Sequence, residues 1–229
     1  MDLYSVKSKS IPQKIVIILL EILLLILSYW LLFGGGEEVV LEKNGMHTLN
    51  GNDESRTIIF IFSIIVFIRM TIMMIYWLKR KIPWEESLSV PMAFALYYIG
   101  FPLLVFNRGA SIGWIDYLAI FIFIVGSSLN TVSELQRNIW KKHQENKGKL
   151  YTTGLFKYSM HINYFGDILW VSAYAVITRN YYSIVIPILL FCLFVFWNIP
   201  ALDKYLAKKY KEQFDTYKEK TKKLIPFIY

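Results

Sequence analysis

Cysteine occurs once in the 229 residues, as Cys192, and histidine three times, as His47, His143 and His161. A single cysteine excludes an intrachain disulfide and any multi-cysteine metal cluster. The histidines stand too far apart to give metal-ligand spacing, so no metal is expected. No G-x-G-x-x-G motif and no Walker loop is present, and the Gly34-Gly35-Gly36 run ends an apolar helix instead of opening a phosphate cradle. A soluble nucleotide-binding fold of the usual kind is thereby excluded. Polar sequence is scarce as well. Hydrophobic residues make up 55% of the chain and aromatics 17%, with mean hydropathy +0.41, which is more apolar surface than one water-soluble core hides.

What is abundant is apolar sequence in long runs. They lie at about Lys14 to Phe33, Thr57 to Leu78, Leu88 to Phe106, Ile112 to Leu129, Tyr164 to Thr178 and Tyr181 to Pro200. A bilayer offers no water to the backbone, so a crossing segment must satisfy its own N–H and C=O groups, and a helix of roughly 20 residues does so. The expectation is an all-α polytopic membrane protein of one domain, residues 1–229, with about six transmembrane helices and further amphipathic helices. The fifth run is short for a crossing, and Arg179-Asn180 makes a tight turn into the sixth. The first run is too long for a signal peptide and lacks a small-residue cleavage site.

Charge is arranged around these runs. The net charge is +8, from 25 Lys and Arg against 17 Asp and Glu. Because the charges flank membrane segments, they point to a bilayer surface and not to nucleic acid. Between Gly34 and Arg56, Glu37, Glu38, Glu42, Asp53 and Glu54 face only Lys43 and Arg56, a net of −3. Lys79-Arg80-Lys81, the segment Asn130 to Met160 and the tail from Ala201 are all basic. Cytoplasmic loops hold the excess of Lys and Arg, which places both termini in the cytoplasm of a bacterial inner membrane or at an endomembrane. The two longest basic segments carry apolar residues at helical spacing: Val132, Leu135, Ile139 and Trp140 in one, Leu202, Tyr205, Leu206, Tyr210, Phe214 and Tyr217 in the other. Both read as interfacial helices against anionic lipid.

Ionisable residues inside spans are costly and usually paired or functional. Glu21 and Arg69 lie at depths of roughly 10 and 13 Å from the basic side, counted at 1.5 Å per residue. They are expected to form an ion pair; the other reading has Arg69 facing a substrate phosphate or carboxylate. Pro83-Trp84-Glu85-Glu86-Ser87 opens the third run, where acids suit a helix N-terminus. A carboxyl held neutral in an apolar cavity there would donate to a substrate carbonyl, which makes Glu86 the candidate catalytic acid. Tyr97, Tyr98 and Tyr117 are further phenolic donors.

The densest polar pattern runs from Asn130 to Asp167. It contains Asn130-Thr131-Val132-Ser133-Glu134-Leu135-Gln136-Arg137, then Gly154-Leu155-Phe156-Lys157-Tyr158, then His161-Ile162-Asn163-Tyr164-Phe165-Gly166-Asp167. Amides and carboxylates suit ribose or base edges, Arg137 or Lys141 suits an anion, and tyrosines suit stacking. On composition alone, His161 also reads as an ordinary interfacial polar residue, and Asn163 and Tyr164 as a helix cap and an anchor.

With Phe214-x-x-Tyr217 and the closing Leu224-Ile225-Pro226-Phe227-Ile228-Tyr229, this stretch resembles the C-terminal domain of the steroid 5α-reductases, and more closely the bacterial membrane proteins grouped with them. The resemblance implies a membrane-embedded, NADPH-dependent reductase of a lipid carbon-carbon double bond conjugated to a carbonyl. Residues 1–110 would form a slot for a lipophilic substrate and residues 111–229 the cofactor-binding half. Matching positions make Asn130, Glu134, Lys141, His161, Asn163, Tyr164, Asp167 and Tyr210 the cofactor residues. The match departs at Lys141, which stands for an arginine, and at Leu202 and Leu206, which stand for an arginine and a histidine. Met160 and Ile162 flank His161 where the wider superfamily has Arg and Pro. The same element, with Asp203 in the tail, resembles the isoprenylcysteine carboxyl methyltransferases, and that likeness implies S-adenosylmethionine as the alternative cofactor. A non-catalytic membrane scaffold is the third reading. No obligatory protein partner is evident.

Overall fold

A computed structural model describes residues 8–43, 51–106 and 108–229. His47 lies outside them. Among the described residues every regular element is helical: α1 (Ile11–Phe33), α2 (Gly36–Lys43), α3 (Asp53–Tyr76), α4 (Trp84–Val105), α5 (Trp114–Trp140), α6 (Ile162–Thr178), α7 (Tyr181–Tyr210) and α8 (Glu212–Lys220). Five of them, α1, α3, α4, α5 and α7, are long and apolar enough to cross a membrane. The expected fifth run forms α6, whose 17 residues stand at the short limit of a crossing. In each of the five, only 22–33% of the apolar window is buried by protein. The remaining apolar surface needs lipid, because water would leave it unfavourably hydrated.

Helix boundaries follow local chemistry. Pro12 sits in the first turn of α1, where its missing N–H costs nothing. Asn52 caps α3, its side-chain oxygen accepting from the Ser55 N–H at 2.8 Å, with Asp53 and Glu54 in the first turn complementing the dipole. Asn180 caps the start of α7 by accepting from the Tyr182 N–H at 3.0 Å. Both α4 and α7 contain a π-helical turn, Leu96–Gly100 and Phe194–Asn198, each followed within two residues by a proline, Pro102 and Pro200. Proline removes a donor from the ladder, and a wider turn is one way to absorb the defect.

The chain divides into two compact units, residues 1–121 with 171–186 and residues 122–170 with 187–229. In the first, Tyr174 stacks on Phe101 at 4.9 Å and meets Phe62 edge-on at 5.2 Å, and Ile17, Leu32, Ile59, Val66 and Ile177 are buried in the same unit. Glu21, expected to pair with Arg69, is buried in α1, and Arg69 lies in α3 of the same unit. A buried cluster not anticipated from sequence occupies the same unit: Asp116 accepts from Arg108 at 2.9 Å, Arg179 at 3.0 Å and the Gly113 N–H at 2.9 Å. With Arg108 also donating to the Ile177 carbonyl, it ties the ends of α4, α5 and α6 together.

Candidate functional site

In the second unit, two glycines bring α5 and α6 into backbone contact. A Cβ on Gly126 would come within 2.6 Å of the Gly166 carbonyl oxygen, and one on Gly166 within 2.6 Å of the Gly126 oxygen and 2.7 Å of the Asn130 nitrogen. Small residues permit such approach between membrane helices. The approach lets polar side chains bridge the helices. Asn130 Nδ2 donates to the Asn163 carbonyl at 3.2 Å, and Asn163 Nδ2 donates to Glu134 Oε1 at 3.1 Å. The other oxygen of Glu134 pairs with Arg137, whose guanidinium lies 5.3 Å from the centre of the Phe156 ring.

His161, only 1% exposed, begins the adjoining edge of the site. Its Nε2 lies 2.9 Å from Asp203 Oδ1, and since an ionised carboxylate only accepts, that nitrogen carries the proton. The imidazole stacks on Tyr164 at 5.6 Å and 8°, and Tyr164 stacks in turn on Phe194 at 4.4 Å and 15°. The tail fixes this edge: the Met160 and His161 N–H groups donate to the Lys222 and Lys223 carbonyls at 2.8 and 3.1 Å, and Ser159 Oγ donates to the Leu224 carbonyl at 2.7 Å. Tyr217 Oη donates to the Phe156 carbonyl at 2.6 Å, and burial holds that phenol well above its usual range. Gly154, which begins the Gly-Leu-Phe turn, has φ +60°, a conformation that suits glycine. There is no room for a side chain, because a Cβ would sit 2.3 Å from Gln136 Oε1.

Asn130, Glu134 and Asn163 thus form one hydrogen-bonded group, and His161, Tyr164 and Phe194 one stack, in the same unit. Asp167 lies a turn further along α6 and accepts from Trp170 Nε1 at 2.8 Å. Lys141, just beyond α5, is lowered to about 8 by desolvation, reinforced by the neighbouring charge of Arg137. Tyr210 belongs to an apolar cluster with Met160, Phe214 and Tyr217. Glu86 lies in the other unit, its two oxygens accepting from Arg80 at 2.9 and 2.6 Å. Phe194 was invisible to sequence reading as a site residue, since one phenylalanine in an apolar run carries no mark; the structure places it at the start of a π-helical turn.

Residues 69–221 match a family of proteins of unknown function, DUF1295. The chain belongs to the DUF1295 family. The matched region includes Asn130, Glu134, Lys141, His161, Asn163, Tyr164, Asp167 and Tyr210. A curated relative, a probable O-methyltransferase named ustE from Ustilaginoidea virens, is 39% identical over 98 residues, which is 41% of this chain. The match spans about a third, 34%, of that relative's length.

Proposed function

We propose that this DUF1295 protein is a membrane enzyme that uses S-adenosylmethionine to methylate an oxygen of a lipophilic acceptor. The observation that carries the reading is an amide–carboxylate network of Asn130, Asn163 and Glu134 in the same unit as the aromatic stack of His161, Tyr164 and Phe194. Arg137 is paired with Glu134, Lys223 lies 4.0 Å from Asp203 Oδ2, and Lys209 donates to Tyr205 Oη at 3.0 Å. Lys141, one residue beyond α5, would meet the carboxylate of S-adenosylmethionine, while Leu202 and Leu206 add no charge for the phosphates of NADPH. The aromatic face of Tyr164 between His161 and Phe194 suits a sulfonium or an adenine ring. The amide of Asn163 and the carboxylate of Glu134 suit ribose hydroxyls. The likeness to a methyltransferase-named relative supports the same choice.

When bound, S-adenosylmethionine supplies an electrophilic methyl group. This chain's residues would hold it: Asn163, Glu134 and Lys141 by polar contact, Tyr164 by its ring, with His161 and Asp203 keeping that ring in place. Outward-facing apolar helices bring the acceptor through the bilayer, and the scarcity of water there protects the reacting pair.

NADPH-dependent reduction is the second reading, favoured by the Gly154-Leu155-Phe156 and Asn163-Tyr164-Phe165-Gly166-Asp167 elements and by the presence of Arg137 and Lys141 on neighbouring turns. A thermal-shift titration of detergent-purified protein with S-adenosylmethionine, NADPH and NADH separates the two. A ligand at about a hundred times its Kd stabilises the fold by about 2.7 kcal/mol. S-adenosylmethionine is expected to raise the melting temperature and the dinucleotides to leave it unchanged, and Asn163→Ala is expected to abolish the response. A shift with NADPH and none with S-adenosylmethionine would replace the proposal with the second reading.

A further inference from the structure

In the first unit, the start of α1 and the end of α3 enclose a cleft of about 670 Å³, far from uniform in character. Its walls are apolar: Ile11, Ile15, Ile18 and Ile75 are among its lining residues, and Ile11, Ile15 and Ile75 are half exposed. Lys9, Lys14 and Lys79 also line it, and among the described residues no acidic side chain does. Lys14 is only 8% exposed, an unusual state for a lysine. Its Nζ donates to the Leu78 carbonyl at 2.9 Å, one bond from a group with three N–H donors. The surrounding backbone is pinned: the Ser8 N–H donates to the Lys79 carbonyl at 3.1 Å, and the Ile82 N–H donates to Ser10 Oγ at 2.9 Å.

A greasy groove on a membrane helix, ending in three cations, has the two-part chemistry of an anionic phospholipid. We infer that this cleft is a binding site for one anionic phospholipid, an acyl chain lying along Ile15, Ile18 and Ile75 and the phosphate meeting Lys9, Lys14 and Lys79. A zwitterionic lipid offers the same chain but a headgroup whose own cation opposes the lysines. Inorganic phosphate offers the charge without the chain. The inference is independent of the methyl-transfer reading, since none of the cofactor-patch residues lines the cleft.

The test is native mass spectrometry and thermal shift on the full, delipidated chain in neutral detergent. The probes are phosphatidylglycerol, phosphatidylcholine with identical acyl chains, and inorganic phosphate. One phosphatidylglycerol should be retained per chain and should raise the melting temperature, while phosphatidylcholine and phosphate do neither. In Lys9→Gln/Lys79→Gln, whose exposed side chains carry no fold contact of the kind Lys14 makes, affinity for phosphatidylglycerol should fall by at least about tenfold, since each near-surface lysine is worth about 1 kcal/mol toward anionic lipid. Lys14→Met should lose binding too, but its bond to Leu78 gives it a structural role, so the double variant decides. Equal retention of both lipids, an equal shift with phosphate, or unchanged binding by the double variant would each overturn the inference.

Discussion

At the scale of single residues, the site depends on buried polar groups and the partners that satisfy them. His161 is enclosed by protein, and Asp203 is its hydrogen-bonding carboxylate at 2.9 Å. Asp203→Ala leaves a buried imidazole N–H without an acceptor, a loss of about 1–3 kcal/mol. The expected outcome is a lower melting temperature and weaker S-adenosylmethionine binding, both largely restored in Asp203→Asn, which keeps an acceptor oxygen. Calorimetric titration beside thermal unfolding checks both. Lys141 gives a pH dependence. Its folded-state value, about 8, lies below the ordinary 10.5, because desolvation disfavours the ammonium. In the unliganded protein the penalty on the charged form is therefore present below about pH 8 and is relieved as pH rises towards 10.5, so this group makes stability increase across that window. Ligand binding has the opposite sign: above about pH 8 the cation that would meet the carboxylate is lost. S-adenosylmethionine affinity should fall between pH 7 and 9 in the wild type and stay level in Lys141→Arg, measured by titration at each pH.

At the scale of elements, the α5–α6 contact carries the geometry. Gly166→Ala places a Cβ against the backbone of Gly126 and Asn130, atoms that cannot rotate aside, so the helices must separate. Overpacking of this kind costs about 1–3 kcal/mol, and separation also lengthens the Asn130–Asn163 bond that aligns the patch. Thermal unfolding should show Gly166→Ala and Gly126→Ala destabilised with weakened cofactor response. Gly113→Ala should be silent, since a Cβ there meets nothing within 4 Å. The elements themselves were largely legible beforehand. Apolar runs mark the five long helices directly, and Gly34 marks the end of the first. The π-helical turns were not legible, because they arise from how the helix relieves a proline defect, nor was the pairing of residues 159–161 with the tail at 222–224, which joins segments about sixty positions apart. The Arg108–Asp116–Arg179 cluster escaped for the same reason: its members fall in three separate loops and helix ends, and only folding brings them together.

At the scale of the molecule, the two units divide the residues the sequence singled out. Asn130, Glu134, Lys141, His161, Asn163, Tyr164, Asp167 and Tyr210 all belong to the second, while Glu86 belongs to the first, held by both nitrogens of Arg80. Glu86 is therefore a test of the chemistry. Reduction of a conjugated double bond needs an acid at the carbonyl, and Glu86 is the acid that reading names. Methyl transfer to an oxygen needs no such donor. Under the proposal, Glu86→Gln weakens the fold by about 0.2–1 kcal/mol, the scale of a partly exposed ion pair. It leaves the S-adenosylmethionine thermal shift intact, and it leaves intact the transfer of labelled methyl from that cofactor into organic-extractable material of reconstituted membranes. A hundredfold loss of turnover with cofactor affinity unchanged would instead make Glu86 the acid of the reaction, and the reductase reading would then take precedence over methyl transfer.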